Sequence, residues 1–236
     1  MHRKAAPVLV LFVFLVGNAA AGMVGCGNAT GADVNGGAKG DGAPAHQIVF
    51  ATGEISGAYY RVGAVLASLW SKEVRDTEVV TRPTGGAMAN LKMLSNAEAD
   101  IGLSASNTAL RAYNGTPPFQ VPASELRAIA ALYPEVFHFV ARRNSGLRLV
   151  SDIRGLRVAV GGRLGGTHLT TRELLEAHGL SADSIRVEYL SFSEAVFAME
   201  AGMVDVAVIG AGVPPPAVQD AAAMTDIRLL SVDPGK

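Results

Sequence analysis

Glycine and hydroxyl side chains cluster at two points where the sequence predicts that a helix begins. Residues 84–86 read Thr-Gly-Gly and residues 165–167 read Gly-Gly-Thr. A helix start presents unpaired N–H groups and the positive end of the helix dipole, glycine lets the backbone come close, and hydroxyls add further donors. Both segments could therefore bind an anion, although the same residue types are also ordinary helix caps.

Two loops resemble catalytic motifs without matching them. Residues 161–167 have the glycine spacing of a phosphate-binding loop, but the lysine that should follow the second glycine is absent. Residues 53–57 place Ser56 one position late for a nucleophile elbow, and the spacing of His138 and His168 does not pair either of them with that serine. No His or Asp spacing indicates a metal site. We therefore expect no catalytic residue, no metal and no cofactor.

Short apolar runs alternate with helix-like segments along the chain and would position these loops. Strands are predicted over residues 47–51, 78–81, 100–104, 128–133, 136–141, 156–160, 185–190, 204–209 and 227–232. Helices are predicted over residues 58–74, 87–95, 167–178, 193–201 and 214–223. This alternation favours an α/β fold with largely parallel sheets. Both halves run from a strand through a glycine loop into a helix, so two lobes would face each other across a cleft.

The N-terminus has the pattern of an export signal. A charged start at residues 2–4 precedes an apolar run over residues 5–16, which is shorter than the roughly 18 residues of a membrane span. Residues 23–25 then lead to Cys26, the single cysteine, in the manner of a lipoprotein cleavage site. We expect an exported lipoprotein, periplasmic or at the cell surface, anchored through Cys26. The alternative is simple secretion with a free thiol.

Composition limits the remaining possibilities. Residues 27–46 contain six glycines without apolar periodicity, which predicts a flexible tether. The net charge of −1 would become −3 when the leader removes two cations. There is no basic patch with interleaved aromatic residues, which argues against nucleic acid. With 49% hydrophobic residues and one cysteine, the core must depend on hydrophobic packing.

Five segments between residues 48 and 232 carry a family resemblance. They are residues 52–63 (TGEISGAYYRVG), 82–91 (RPTGGAMANL), 97–107 (AEADIGLSASN), 156–161 (LRVAVG) and 205–218 (DVAVIGAGVPPPAV). In this order they resemble the TAXI family, the extracytoplasmic solute receptors of TRAP-type (tripartite ATP-independent periplasmic) transporters. The resemblance implies a two-lobed periplasmic-binding-protein fold (type II-like) that closes on a small carboxylate or an amino acid such as glutamate. The solute then passes to a membrane permease driven by an ion gradient.

The resemblance also implies a set of ligand-binding residues. The positions that match the family are Thr52, Tyr59, Tyr60, Thr84, Gly85, Gly86, Asn90, Ser106, Asn107 and Thr167. The predicted site also includes Glu54, Ser56, Gly165 and Gly166. The two tyrosines could equally be core residues that face the sheet.

Glu54 is the departure from the family that bears most on the ligand. It adds a carboxylate where the family usually has glycine, and a carboxylate in the cleft would repel a simple dicarboxylate. We hypothesise that Glu54 faces the ammonium or guanidinium group of an amino acid or related zwitterion. The alternative is that it points to solvent or pairs with Arg61 or Arg82. Further departures, several of which lose hydroxyl donors, lie at Ile55, Ala58, Ala87, Leu164 and Gly165.

The predicted organisation follows from these patterns. It comprises a signal peptide (1–25), a lipidated tether (26–46), an incomplete first lobe (47–134), a second lobe (135–226) and the start of a crossover back to the first lobe (227–236). Family members usually continue for several dozen residues, so we expect a C-terminally truncated fold, whether as a fragment, a frameshifted product or a degenerate receptor.

The predicted function is a transport receptor without catalysis. Its expected partners are a small carboxylate or amino acid, the subunits of a membrane permease and, through the lipid anchor, the membrane. One alternative is a ligand-sensing lipoprotein that acts on a membrane sensor. The other is an exported serine hydrolase that uses Ser56.

Overall fold

Two α/β lobes are joined by one long strand in the computed structural model of this chain. The structure describes the backbone of residues 8–15 and all atoms of residues 46–232. The predicted cleavage site, Cys26 and most of the tether lie outside the described residues. Within them, none of the helices combines the length and apolar character that crossing a membrane requires.

The elements follow the predicted alternation. The strands are β1 (Val8–Leu15), β2 (His46–Ala51), β3 (Thr77–Arg82), β4 (Ile101–Ala105), β5 (Leu126–Arg142), β6 (Arg157–Ala159), β7 (Arg186–Glu188), β8 (Val206–Ala211) and β9 (Ile227–Leu229). The helices are α1 (Ala58–Glu73), α2 (Ala87–Ser95), α3 (Ser106–Asn114), α4 (Thr167–Ala177), α5 (Phe192–Glu200) and α6 (Pro216–Met224). Short 3₁₀ turns cover Arg143–Ser145, Val150–Ile153 and Ala182–Ser184.

The strands lie in the order β3-β2-β4-β1-β5-β8-β6-β7, with β9 also paired to β5. In the first lobe β2 is parallel to β3 and β4, and the core contains the buried side chains of Phe50, Leu91 and Leu103. In the second lobe β6 is parallel to β7 and β8, around a core that includes Ile153 and Leu175. Each lobe therefore has its own parallel sheet and its own apolar core.

β5 corrects one prediction. Two strands separated by Pro134 were expected, but β5 runs without a break through Pro134. Its first part pairs antiparallel with β1 up to Glu135, and its second part pairs antiparallel with β8 from Val136 onward. Proline lacks an N–H group but its φ suits an extended strand, so it is tolerated where the ladder changes partner.

α3 was not predicted, because its polar first turn hides the apolar periodicity that indicates a helix. The last predicted strand is shorter than expected, and β9 pairs with the end of β5 in the second sheet. The apolar run assigned to a signal peptide forms β1, between β4 and β5. An uncharged apolar run is compatible with a strand and with a leader, so the export signal stays a prediction.

Candidate functional site

A cavity lies between the two lobes, at the carboxyl ends of their parallel strands, where open α/β sheets bind ligands. It measures about 500 Å³ including the part that is open to solvent. The loops that follow β2, β3 and β6 all reach it. Its lining residues are Gly53, Glu54, Gly57, Ala58, Tyr59, Gly85, Gly86, Ala87, Glu135, Gly162, Gly165, Gly166, Thr167, Phe192 and Gly210.

The two glycine loops identified in the sequence touch across this cavity. A Cβ added at Gly86, whose φ is +109°, would lie 3.2 Å from the Cα of Gly165. A Cβ at Gly166 would lie 3.0 Å from the hydroxyl of Thr108. The backbone N–H of Ala89 in α2 also donates to the carbonyl of Leu164, at 3.1 Å. Glycine is therefore needed here because the lobes approach each other backbone to backbone.

The first residues of α2 and α4 leave backbone donors available at the cavity. The N–H groups of Ala87 and Thr167 donate to no other residue in the described part of the chain. Both residues line the cavity. Two helix starts, one from each lobe, can thus offer N–H groups and favourable dipoles to one anionic group.

Glu54 reaches across the cavity to the other lobe. Its Oε2 accepts a hydrogen bond from the backbone N–H of Phe192, at 3.1 Å. Burial raises the pKa of Glu54 above its ordinary value, the hydrogen bond from Phe192 partly offsets this rise, and the charge of Glu194 adds to it. Among the described residues Glu54 forms no ion pair with Arg61 or Arg82.

Glu135 is a second carboxylate on the cavity wall, and the sequence analysis missed it. Tyr59 offers its hydroxyl to this carboxylate as a hydrogen-bond donor, but burial dominates and raises the pKa of Glu135 to about 7. The hydroxyl of Tyr133 is buried nearby, without a hydrogen-bond partner in the described part of the chain. A lone acid inside the apolar run of residues 128–141 was the available signal, because carboxylates are rarely buried without a partner.

The structure places seven of the predicted ligand-binding residues on the cavity and seven elsewhere. Those on the cavity are Glu54, Tyr59, Gly85, Gly86, Gly165, Gly166 and Thr167. Those not among its lining residues are Thr52, Ser56, Tyr60, Thr84, Asn90, Ser106 and Asn107.

Asn90 shows why a residue matching the motif lies away from the cavity. Its side-chain amide is fully buried and donates to the carbonyls of Thr52 and Leu103, while its Oδ1 accepts from the hydroxyl of Thr84. These bonds fasten α2 to β2 and β4. The group Thr52, Thr84 and Asn90 therefore supports the loop that carries Gly85 and Gly86.

Asn107 joins the lobes through a contact with α4. Its Nδ2 donates to the hydroxyl of Thr170 at 2.9 Å, and beside it Arg111 pairs with Glu173 at 2.6 Å. With the Glu54–Phe192 bond, these contacts hold the two lobes together around the cavity.

The geometry does not assemble a hydrolase site around Ser56. Among the described residues Ser56 forms no hydrogen bond with His138 or His168, and Nδ1 of His138 contacts the carbonyl of Ile209. The described residues also contain no group of three or more His, Cys, Asp or Glu side chains placed to hold a metal ion.

Two α/β lobes that share a strand and enclose a cavity at their strand ends define the periplasmic-binding-protein fold, type II-like. The predicted fold class is confirmed. The chain belongs to the NMT1-like family, whose model matches residues 50–236.

Solved structures share this fold at low sequence identity. The alkanesulfonate-binding protein SsuA from Xanthomonas axonopodis pv. citri, solved with bound MOPS, is 21% identical with a TM-score of 0.58 over 80% of this chain and 61% of that one. An ancestral arginine-binding protein bound to arginine is 12% identical, with a TM-score of 0.54 over 78% of each chain. A structure from work on glutathione import via GshT in Streptococcus mutans is 11% identical, with a TM-score of 0.54 over 81% of this chain and 78% of that one. This chain thus spans about three fifths of the length of the Xanthomonas protein.

Proposed function

We propose that this chain is an extracytoplasmic solute receptor of a TRAP-type transporter, of the TAXI kind. It binds a small carboxylate or amino acid between its lobes and delivers the solute to a membrane permease. The observation that carries this proposal is the inter-lobe cavity, where two helix starts face two carboxylates.

The helix starts provide for the anionic part of such a solute. The free N–H groups of Ala87 and Thr167 belong to different lobes, so one carboxylate bound to both would hold the lobes together. Binding and closure are then coupled, because the full set of donors exists only when the lobes meet. This coupling is what a delivery protein requires, since a permease can then distinguish the loaded form from the empty one.

The proposal of the TAXI kind rests on the five ordered segments that resemble that family. Three of them, residues 52–63, 82–91 and 156–161, contain or lead into loops of the cavity. Membership of the NMT1-like family and the shared fold of solute-binding proteins support a receptor of this general type. Export through the predicted leader, whose cleavage would remove β1, and lipidation of Cys26 would place the mature receptor at the outer face of the membrane.

Ligand binding is tested by a thermal-shift screen of the purified protein with amino acids, dicarboxylates and sugars, followed by calorimetry. A solute that binds the folded state raises the melting temperature. We expect a selective shift with an amino acid or small carboxylate. A cooperative melt that no solute shifts would contradict the proposal.

Two glycine variants provide matched controls for this screen. Gly86→Ala should abolish the shift, because its Cβ would press on Gly165 across the cavity. Gly155→Ala also has a positive φ, of +76°, but no atom lies within 4 Å of its Cβ. It should lower the melting temperature and leave the shift in place. Delivery is tested separately, by solute uptake in cells that express the receptor with its permease.

A further inference from the structure

Among the described residues, the cavity wall carries negative charge without a basic side chain to balance it. Its lining residues include the carboxylates of Glu54 and Glu135 and contain no Lys, Arg or His. Burying a carboxylate without a counter-charge or sufficient hydrogen bonds is costly. Each of the two acids must therefore be stabilised by another part of the protein or by a ligand.

Glu54 is stabilised in part by the protein, although burial still raises its pKa. Its carboxylate accepts a hydrogen bond from the backbone N–H of Phe192, which is the first residue of α5. The dipole of α5 favours a negative charge at this end of the helix. The side chains of Ser191 and Glu194 cap each other's backbone amides at this helix start, and the Phe192 amide between them donates to Glu54. The carboxylate of Glu54 thus has a structural partner in the closed arrangement.

Glu135 has no comparable partner in the described part of the chain. It forms no ion pair among the described residues, and the donor facing it is the neutral hydroxyl of Tyr59. Burial raises its pKa to about 7, and the hydrogen bond from Tyr59 offsets this rise only in part. A ligand cation placed against it would supply the missing stabilisation.

The position of Glu135 suits a side chain that recognises one group of the ligand. It lies in β5 where the strand passes from the first sheet to the second, next to Val136, which pairs with Ala211 of β8. The helix starts that can bind an anion belong to the same cavity. A solute with one anionic and one cationic end could satisfy both walls at once.

We infer that Glu135 is the specificity-determining residue that binds the cationic group of the solute, an ammonium or guanidinium, while Glu54 joins the lobes. This inference rests on the proposed receptor function and deepens it by naming zwitterions as the ligand class. The cationic group of the ligand, which the sequence led us to assign to Glu54, is thus assigned to Glu135 in the shared strand β5. A neutral, protonated Glu135 that donates to a ligand carboxylate is the opposing arrangement.

The test uses solute pairs that differ in one group. L-Glutamate is compared with 2-hydroxyglutarate and L-alanine with L-lactate, which removes the ammonium group, and L-arginine with L-citrulline, which removes the guanidinium charge. Each solute is titrated calorimetrically into the purified protein. In the pairs that remove the group bound by Glu135, the wild-type protein should bind the cationic member about 10- to 150-fold more tightly, the range for a hydrogen bond to a charged group. Glu135→Gln should reduce this preference to about threefold or less.

Three further variants separate recognition from folding and closure. Glu135→Asp keeps the charge, so it should keep the preference for the cationic solute while binding more weakly. This variant provides the test if Glu135→Gln does not fold. Glu54→Ala should weaken both members of a pair alike. Glu98→Gln removes one charge from an exposed site outside the cavity and should change neither affinity.

The outcomes distinguish this inference from the function on which it rests. Equal binding of both members in every pair, or an unchanged preference in Glu135→Gln, would overturn the role of Glu135 and leave the receptor function standing. Tighter binding of dicarboxylates that is lost in Glu135→Gln would support the protonated arrangement and overturn this one. If the wild-type protein binds no solute in the thermal-shift screen and none of the calorimetric pairs, both the receptor function and the inference are wrong.

Discussion

The carboxylate of Glu54 and the backbone N–H of Phe192 join the two lobes, with 3.1 Å between Oε2 and N. The acid comes from the loop before α1, and the amide is the first residue of α5. A helix start favours an anion, so the first lobe itself provides one for the second. The bond therefore links the loop before α1 to the start of α5 in the arrangement that the structure describes.

Removing this bond should favour the open arrangement. Glu54→Ala leaves the Phe192 amide without its acceptor, and we expect the ratio of closed to open protein to fall about tenfold, the lower range for a hydrogen bond to a charged group. Spin-label distances between the lobes in the absence of solute measure this change. Glu54→Gln retains an acceptor oxygen and should restore much of the closure. Equal distance distributions in wild type and Glu54→Ala would contradict the prediction.

The Arg111–Glu173 pair should contribute a smaller, salt-dependent part of closure. Its side chains are 34% and 40% exposed, and such pairs contribute about 1 kcal/mol or less. Arg111→Ala should therefore weaken solute binding by up to about fivefold at low salt and by less at high salt. Arg172→Ala breaks the Arg172–Glu176 pair within α4 and serves as the control, which should show no such salt dependence. A loss that is equally large at high salt would indicate another cause.

Asn90 should affect stability more than ligand recognition. Asn90→Ala leaves the buried carbonyls of Thr52 and Leu103 without their donor, so we expect a loss of about 2–4 kcal/mol in the free energy of unfolding. Urea denaturation measures this loss, and Asn96→Ala, at the exposed end of α2, should cost less than about 1 kcal/mol. If Asn90→Ala lost solute affinity while its free energy of unfolding stayed unchanged, Asn90 would instead be a ligand-binding residue.

Glu135 should make stability fall as the pH rises towards neutrality. Its pKa is raised from 4.5 to about 7 in the folded protein, so the folded state holds the proton more tightly than the unfolded chain does. The resulting stabilisation is present below pH 4.5 and is lost as the pH rises through about 7, at most about 3 kcal/mol.

The pH effect is measured as a difference between wild type and Glu135→Gln, by chemical denaturation at several pH values from about 5 to 8. The raised pKa of Glu54 and the lowered pKa of His168 do not depend on Glu135, so they occur in both proteins and largely cancel. Glu135 helps to raise the pKa values of Tyr59 and Tyr133, but burial is the larger cause and both tyrosines titrate above this pH range. The wild type should lose stability relative to the variant as the pH rises. A difference that grows in the opposite direction would show that the carboxylate is stabilised after all.

Local patterns were sufficient where one element decides its own structure. The helix over residues 87–95 has the predicted bounds, because its apolar positions and its glycine start are both local signals. The glycine loops were also recognised in advance, and both line the cavity. α3 was not predicted because it contains few apolar residues. β5 was predicted as two strands because Pro134 was interpreted without knowledge of the strands that pair with β5 on either side of it.

The sequence by itself determined the alternation of strands and helices, the two lobes and the loops that could bind an anion. The tertiary structure alone decided which polar residues face the cavity: it turned Asn90 and Asn107 into structural contacts, gave Glu54 a partner in the opposite lobe and brought Glu135 to the cavity wall. The reason is that hydrogen bonds and charge burial depend on which distant segments meet. Periodicity along the chain reports which way a side chain faces within its own element, and it carries no information about the partner that the element will find.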